Sequence, residues 1–178
     1  MSTPCTLMRL RDRLNLPWLA LLSGVVFLLS QTLILLTLAP LDDPSALLRM
    51  QLTYTSAEQY LAQFAAWEHD GLLYAYRDHL LPDTLHPLWY GLFASTLLAI
   101  VLSRAGASQR WNLLLPLPAL SALLDVLENT VQQLFLANSA SITDALATFS
   151  WLCSSGKWLL VMVYLLAIIG WALVGRRR

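Results

Sequence analysis

Four apolar stretches, separated by short polar segments, dominate the pattern of this 178-residue chain. They lie at residues 17–39, 83–103, 111–136 and 145–174. As a helix, each is long enough to cross a hydrocarbon core of about 30 Å. The first exceeds the ~7–15-residue apolar core of a cleavable signal peptide, so we expect it to be retained. The pattern predicts an all-α fold, an integral membrane four-helix bundle.

Two longer segments lie outside these predicted transmembrane helices. Residues 1–16 are basic and are expected to form a cytoplasmic N-terminal arm. Residues 40–82 are acidic, and they carry aromatic and apolar residues at helical spacing behind Thr55-x-x-Glu58, a pattern typical of a capping box. They predict a small extracytoplasmic helical cap with a break at Gly71. Asp83, which follows Pro82, is expected to be the N-cap of the second transmembrane helix.

Composition favours lipid as the solvent for most of the surface. Only 12% of the residues are charged, whereas soluble domains carry about 25%. The formal net charge is zero, which argues against a nucleic-acid partner. The expected partners are membrane lipids, with another membrane protein or a second copy of the chain as alternatives. Cys5 and Cys153 fall in different parts of the predicted topology, so we expect no disulfide. No cofactor is predicted.

The distribution of arginine predicts the orientation. Arginines occur in the N-terminal arm, in the 104–110 turn and at residues 176–178, whereas the 40–82 segment and the 138–144 turn together hold only Arg49 and Arg77. Because positive residues stay cytoplasmic, the chain is expected in the inner (plasma) membrane with both termini in the cytoplasm.

The third predicted helix carries Asp125, Glu128 and Asn129 near its middle. A charge at bilayer depth costs roughly 2.5–3.5 kcal/mol on insertion scales, so a partner is expected. Lys157, the single lysine of the chain, lies at a similar depth on the fourth helix. We expect it to pair with Asp125 or Glu128, a choice that the sequence leaves open. Since two carboxylates face one ammonium, one carboxyl is expected to share or hold a proton.

Polar faces on the other helices extend this group into a predicted binding site. Asp83, His86 and Tyr90 share one face of the second helix and would form an entrance, and Gln31 lies at the same depth on the first. The ligand would be a small amphipathic or lipidic molecule. The predicted ligand-binding residues are Asp83, His86, Tyr90, Asp125, Glu128, Asn129, Lys157 and Gln31. No catalytic residue is identified, although Asp125 and Glu128 are the candidates for acid–base chemistry.

Three alternatives remain open. The polar cluster could only fix helix packing, in an accessory or structural subunit of a membrane complex. Asp125 or Glu128 could carry protons in an oligomeric transporter, although four transmembrane helices without an internal repeat disfavour this. His79, Asp83 and His86 have the spacing of a two-histidine, one-carboxylate metal site, but Pro82 interrupts it and no metal is predicted.

The second helix carries the motif Asp83-x-x-x-Pro87-x-x-Tyr90, and Asp125-x-x-Glu128-Asn129 and a lysine early in the fourth helix follow it. This combination resembles a family of small, uncharacterised four-span bacterial inner-membrane proteins. The resemblance covers about residues 50–170 and implies the fold and the co-occurrence of these polar positions, but no activity. In general build the chain is also similar to intramembrane sterol isomerase-type proteins, whose cavities hold acidic residues. No motif transfers a catalytic residue from them.

Overall fold

The computed structural model describes residues 3–41, 43 and 45–176. Predictions that concern Asp42, Arg177, Arg178 and the side chain of Cys5 lie outside the described residues. The helices are α1 (Thr3–Leu14), α2 (Pro17–Leu38), α3 (Ser45–Thr53), α4 (Ala57–His69), α5 (Leu73–Arg104), α6 (Leu117–Ala137) and α7 (Asp144–Gly175), with short 3-10 helices at Gln109–Leu114 and Ser139–Ser141. The described residues contain no strand, so the all-α prediction is confirmed.

Four helical segments are long and apolar enough to cross a membrane: Pro17–Leu38, Leu73–Arg104, Gln109–Ala137 and Asp144–Gly175. Their outward faces are apolar. Leu21 and Leu159, for example, expose 71% and 67% of their surface. A contiguous apolar exterior of this extent is unfavourable in water and suits a lipid environment.

The prediction that Asp83 caps the start of a helix is wrong, because α5 begins at Leu73 and continues through Pro82 and Pro87. The expected break at Gly71 is confirmed by its φ of +70°. A proline inside a helix removes one N–H and leaves the carbonyl four residues earlier without its donor. For Pro87 that carbonyl belongs to Asp83, and Asn129 Nδ2 donates to it at 3.0 Å. A neighbouring helix therefore restores the lost hydrogen bond.

The third predicted helix is divided near its first residues. The 3-10 helix Gln109–Leu114 contains Trp111, and α6 starts only at Leu117, directly after Pro116. Proline at a helix start costs little because the first N–H groups have no intrahelical partner. The longer apolar stretch of the sequence thus forms two helical pieces.

The cap consists of α3 and α4, and the end of the bundle that carries them is called the cap end. The capping box of α4 uses Ser56 and Gln59, one residue later than predicted. The N–H of Ala57 also donates to Asp144 Oδ1 at 2.8 Å, which joins the start of α4 to the start of α7. Helix α3 was not predicted.

Aromatic residues of α4 pack on the bundle. The rings of Tyr60 and Phe135 lie 5.1 Å apart, and those of Trp67 and Tyr76 lie 5.0 Å apart. These distances are typical of favourable aromatic pairs. The predicted aromatic face of the cap therefore covers the ends of α5 and α6.

The opposite end, called the arm end, carries α1. Arg11 donates to the carbonyl of Ala107 at 2.9 Å and to Ser103 Oγ at 3.1 Å. These bonds attach α1 to the turn that follows α5. The arginines of α1, Arg104, Arg110 and the end of α7 consequently belong to one end of the molecule, since Gly175 also lies beside Ala105.

Helix α5 is the centre of the packing. It packs extensively against α2 and α6 and also contacts α7, and α6 packs against α7. A Cβ on Gly91 of α5 would lie 3.0 Å from the Cβ of Ala122, so glycine permits this close approach of α5 and α6. Helix α2 packs along α5 and makes at most marginal contact with α7. A groove between α2 and α7 results.

Candidate functional site

Lys157 forms an ion pair with both carboxylates of α6. Its Nζ lies 2.6 Å from Asp125 Oδ1 and 2.6 Å from Glu128 Oε2. All three side chains are at most 7% exposed. The predicted meeting of Lys157 with the acidic pair is confirmed, and the open choice between Asp125 and Glu128 resolves into contact with both. We call these three residues the Lys157 cluster.

Helical spacing explains why the three side chains meet. Asp125 and Glu128 stand at i and i+3 on α6 and therefore project from one face. On α7, Lys157 follows the buried residues Ser150 and Ser154 on the face that is turned into the bundle. The hydroxyl of Ser121 donates to the backbone carbonyl of Lys157 at 3.3 Å, which fixes the same two helices near this level.

Charge is not balanced in the Lys157 cluster. Two carboxylates and one ammonium give a formal charge of −1 when all are ionised. Burial of ions carries a large desolvation cost, which mutual attraction offsets only when the geometry is good. Asp83 adds a further carboxyl nearby, and among the described residues no Lys, Arg or His nitrogen lies within 4.0 Å of it. The region therefore holds more acid than base.

His86 and Tyr90 connect the helices around this acidic region. His86 Nδ1 and Ser30 Oγ of α2 are 2.8 Å apart, and the rings of His86 and Tyr90 lie 5.5 Å apart. The Tyr90 hydroxyl lies 3.4 Å from Ser121 Oγ of α6. These contacts attach α2 to α5, and α5 to α6, beside the acidic residues.

A cavity of about 600 Å³ lies in the groove between α2 and α7, with α5 behind it. Its wall includes six of the eight predicted ligand-binding residues: Gln31, Asp83, His86, Tyr90, Asp125 and Lys157. The cavity wall does not include Glu128 and Asn129. Glu128 is buried on Lys157, and Asn129 serves the carbonyl of Asp83.

The polar residues occupy the middle of this cavity, and apolar residues extend beyond them. Toward the arm end the wall is formed by Phe93, Leu97, Val161 and Ile168. Toward the cap end, Leu47 and Leu48 of α3 close over it. Helix α3 is held to α7 because Trp158 Nε1 donates to Gln51 Oε1 at 3.2 Å. Leu35 and Leu165 line the cavity while 60% and 43% exposed, so the opening is flanked by apolar surface.

A second polar group lies nearer the cap end. The Tyr76 hydroxyl donates to Gln132 Oε1 at 2.8 Å, and Gln132 Nε2 donates to the Tyr60 hydroxyl at 3.0 Å and to Ser150 Oγ at 2.8 Å. We call these four residues the Gln132 cluster. Burial raises the pKa of the Tyr60 phenol, so this hydroxyl stays protonated.

Helical spacing in the sequence indicates only two of the four residues of the Gln132 cluster. Gln132 and Ser150 lie on the buried polar faces of α6 and α7. Tyr60 and Tyr76 approach from the cap and from the first turn of α5, and their amphipathic spacing indicates packing alone. A buried tyrosine hydroxyl and a buried amide each need a hydrogen-bond partner, and this need is the signal that could have paired the two tyrosines with Gln132.

The alternative metal site is not assembled. Within the described ranges, no three His, Cys, Asp or Glu side chains lie close enough together to hold a metal ion. The Nδ1 of His79 contacts the carbonyl of Tyr76, whereas His86 faces Ser30.

Comparison with known proteins gave no relative: no family model, no curated protein and no solved structure matches this chain. The resemblance to small four-span bacterial proteins therefore stays a prediction.

Proposed function

We propose that this chain is a multi-pass inner-membrane protein that binds a small amphipathic or lipidic ligand in the cavity between α2 and α7. The observation that carries the proposal is the cavity itself, which holds Asp83, Asp125 and Lys157 among apolar walls. Ligand sites of about 300–1,000 Å³ with mostly apolar walls and a few polar groups are common in proteins.

The four apolar helices and their exposed leucines support the membrane location. The arginine-rich segments support an orientation with the arm end, and hence both termini, in the cytoplasm. Arg9, Arg11 and Arg13 of α1, Arg104 and Arg110 belong to that end. The acidic cap would then lie outside the cytoplasm.

The shape of the cavity supports entry from the bilayer. Helix α2 and helix α7 barely touch, so the groove between them opens sideways between exposed leucines. A ligand with an apolar body would pass from the lipid into the groove without crossing water. Its polar group would then meet Asp125 and Lys157.

Co-purification with matched variants tests the proposal. Val161 lines the cavity on α7, whereas Val163 is 39% exposed on another face of the same helix. Val161→Phe should fill part of the cavity, and Val163→Phe should only alter the exterior. Each protein would be extracted in mild detergent, its unfolding midpoint compared, and its bound molecules weighed by native mass spectrometry.

The proposal predicts a bound amphiphile at about one per chain in the wild type and in Val163→Phe. Val161→Phe should fold equally well and carry much less. The same occupancy in all three proteins, or an absence of bound amphiphile from all three, would contradict the proposal.

A packing role is the second candidate, favoured by the contact of Lys157 with both carboxylates across α6 and α7. In that case the cavity could be filled without loss of function. Loss of Lys157 should destabilise the protein in either role, so the ligand content of Asp125→Asn and Glu128→Gln separates the two.

A further inference from the structure

The charges around the cavity indicate the kind of head group that it accepts. The wall carries Asp83, Asp125 and Lys157, and Glu128 stands behind Lys157. If all are ionised, these four residues have a formal charge of −2. The ammonium of Lys157 is already shared between two carboxylates at 2.6 Å each. It therefore supplies no surplus positive charge to a ligand.

Asp83 is the acid that remains to be balanced. Asp83 lines the cavity, and no Lys, Arg or His nitrogen of the described residues lies within 4.0 Å of its carboxyl. A negative head group would add charge to an acidic site that is poorly hydrated. A positive head group would reduce that charge, which is the electrostatically complementary arrangement.

Aromatic side chains form a second and independent argument. Five of them line the same cavity: Phe27, Tyr90, Phe93, Trp158 and Tyr164. The faces of aromatic rings attract cations, and proteins use aromatic-lined pockets to recognise quaternary ammonium ligands. Trp158 already has the ammonium of Lys157 6.0 Å from its ring centroid, although their adjacency in sequence contributes to this contact.

We infer that the ligand is a lipophilic amine, an apolar molecule with one ammonium group that enters from the bilayer and places this group between Asp83 and Asp125. The inference rests on the proposed function and adds the class of ligand. The apolar body lies along Phe93, Leu97 and Val161 toward the arm end. Helix α3 covers the ammonium from the cap end.

Head-group selectivity can be measured in lipid nanodiscs of phosphatidylcholine. Spin-labelled stearyl chains with an ammonium, a hydroxyl or a sulfonate head serve as probes, because they share one apolar body. Electron paramagnetic resonance gives the immobilised fraction of each probe. The same measurement on Val161→Phe corrects for lipid that merely surrounds the protein.

We expect the cavity-specific association constant of the ammonium probe to exceed that of the sulfonate probe about tenfold, equivalent to about 1.4 kcal/mol. Asp83→Asn should remove most of this preference. Asp78→Asn, which changes an exposed carboxyl on the same helix away from the cavity, should retain it.

Three other outcomes are distinguishable. If the hydroxyl or sulfonate probe binds the cavity as well as the ammonium probe, the amine is refuted and the proposed function stands. If wild type and Val161→Phe immobilise every probe equally, both the amine and the proposed function are contradicted. Preference for ammonium that persists in Asp83→Asn would refute the role of Asp83 and, with it, the charge argument for the amine.

Discussion

The Gln132 cluster and the Lys157 cluster both join α6 to α7, and Gln132 lies one helical turn from Glu128 on α6. In the Gln132 cluster, both groups of the amide are matched by hydroxyls of Tyr60, Tyr76 and Ser150. The cap covers this cluster, and no residue of it lines the cavity. It is neutral and closed.

The Lys157 cluster differs in charge and in access. It holds one carboxylate more than it holds ammonium groups, and Asp125 and Lys157 reach the cavity wall. Buried polar groups that are fully matched stabilise a single packing, whereas unmatched charge beside a cavity is unfavourable without a further role. The comparison supports a packing role for the Gln132 cluster and the proposed binding role for the Lys157 cluster.

Removal of the ammonium should have the largest effect on stability. Lys157→Met leaves two buried carboxylates without their cation, and we expect a loss of roughly 3–5 kcal/mol in the free energy of unfolding. Denaturant titration in detergent measures this loss. Further substitution of Asp125→Asn and Glu128→Gln should restore most of it. If the triple variant is no more stable than Lys157→Met, the electrostatic explanation fails.

Removal of the Gln132 amide should have the second-largest effect on stability. Gln132→Met leaves the hydroxyls of Tyr60, Tyr76 and Ser150 without their central partner, at a cost of about 2–3 kcal/mol. Ligand content should not change. Gln133→Met is the matched control, because Gln133 is exposed and donates only to Thr84. It should cost less than about 0.5 kcal/mol. Loss of ligand in Gln132→Met would contradict a role in packing alone for the Gln132 cluster.

Removal of the Asn129 hydrogen bond, which compensates for Pro87 in α5, should have an intermediate effect on stability. Asn129→Leu removes the donor to the carbonyl of Asp83, and we expect a loss of about 1–2 kcal/mol. Pro87→Ala supplies a backbone N–H for the same carbonyl. In the Pro87→Ala background, Asn129→Leu should therefore cost clearly less. Additive effects in this double-mutant cycle would show that the two residues do not serve the same carbonyl.

The smallest effect on stability is expected at Asp43, before α3. Its carboxylate accepts from the N–H of Ser45 at 3.0 Å and pairs with Arg49 at 3.1 Å, all on exposed surface. Asp43→Ala should leave the unfolding midpoint almost unchanged but loosen α3 over the cavity. Ligand release, measured by exchange of a spin-labelled amine, should become faster. An unchanged release rate would exclude α3 as a cover.

Acidification should accelerate ligand release, as we expect Asp43→Ala to do. The hydroxyl of Ser45 and, less strongly, Arg49 lower the pKa of Asp43. A lowered pKa in the folded state means that the interaction is present above the unfolded pKa and is lost as the pH falls through the folded one. Release should therefore accelerate at acid pH in the wild type, and this Asp43-dependent part of the acceleration should be missing in Asp43→Ala.

Local sequence signals predicted two of the four long helices, α2 and α7, closely. The hydropathy of α2 and α7 places their ends within about one residue, because length and apolarity alone determine them. Depth and face predicted that Lys157 meets the acidic pair of α6, although not that it contacts both Asp125 and Glu128, since a charge in an apolar helix must turn toward a partner.

Tertiary compensation was beyond these local signals. Pro82 and Pro87 each predict an interruption, yet α5 continues, and its bond from Asn129 comes from another helix. Tyr60 reaches Gln132 only because the cap folds back over the bundle. The cavity itself depends on how α2 leans along α5 and away from α7, which no stretch of sequence encodes by itself.

The two carboxylates of the Lys157 cluster allow the most direct test. Asp125 lines the cavity, Glu128 does not, and each substitution by its amide leaves one neutral ion pair with Lys157. Native mass spectrometry of Asp125→Asn and Glu128→Gln, both folded, compares their bound amphiphile. Binding at the cavity predicts that Glu128→Gln retains its ligand and that Asp125→Asn loses it. Equal retention in the two variants would contradict a binding role for the cluster.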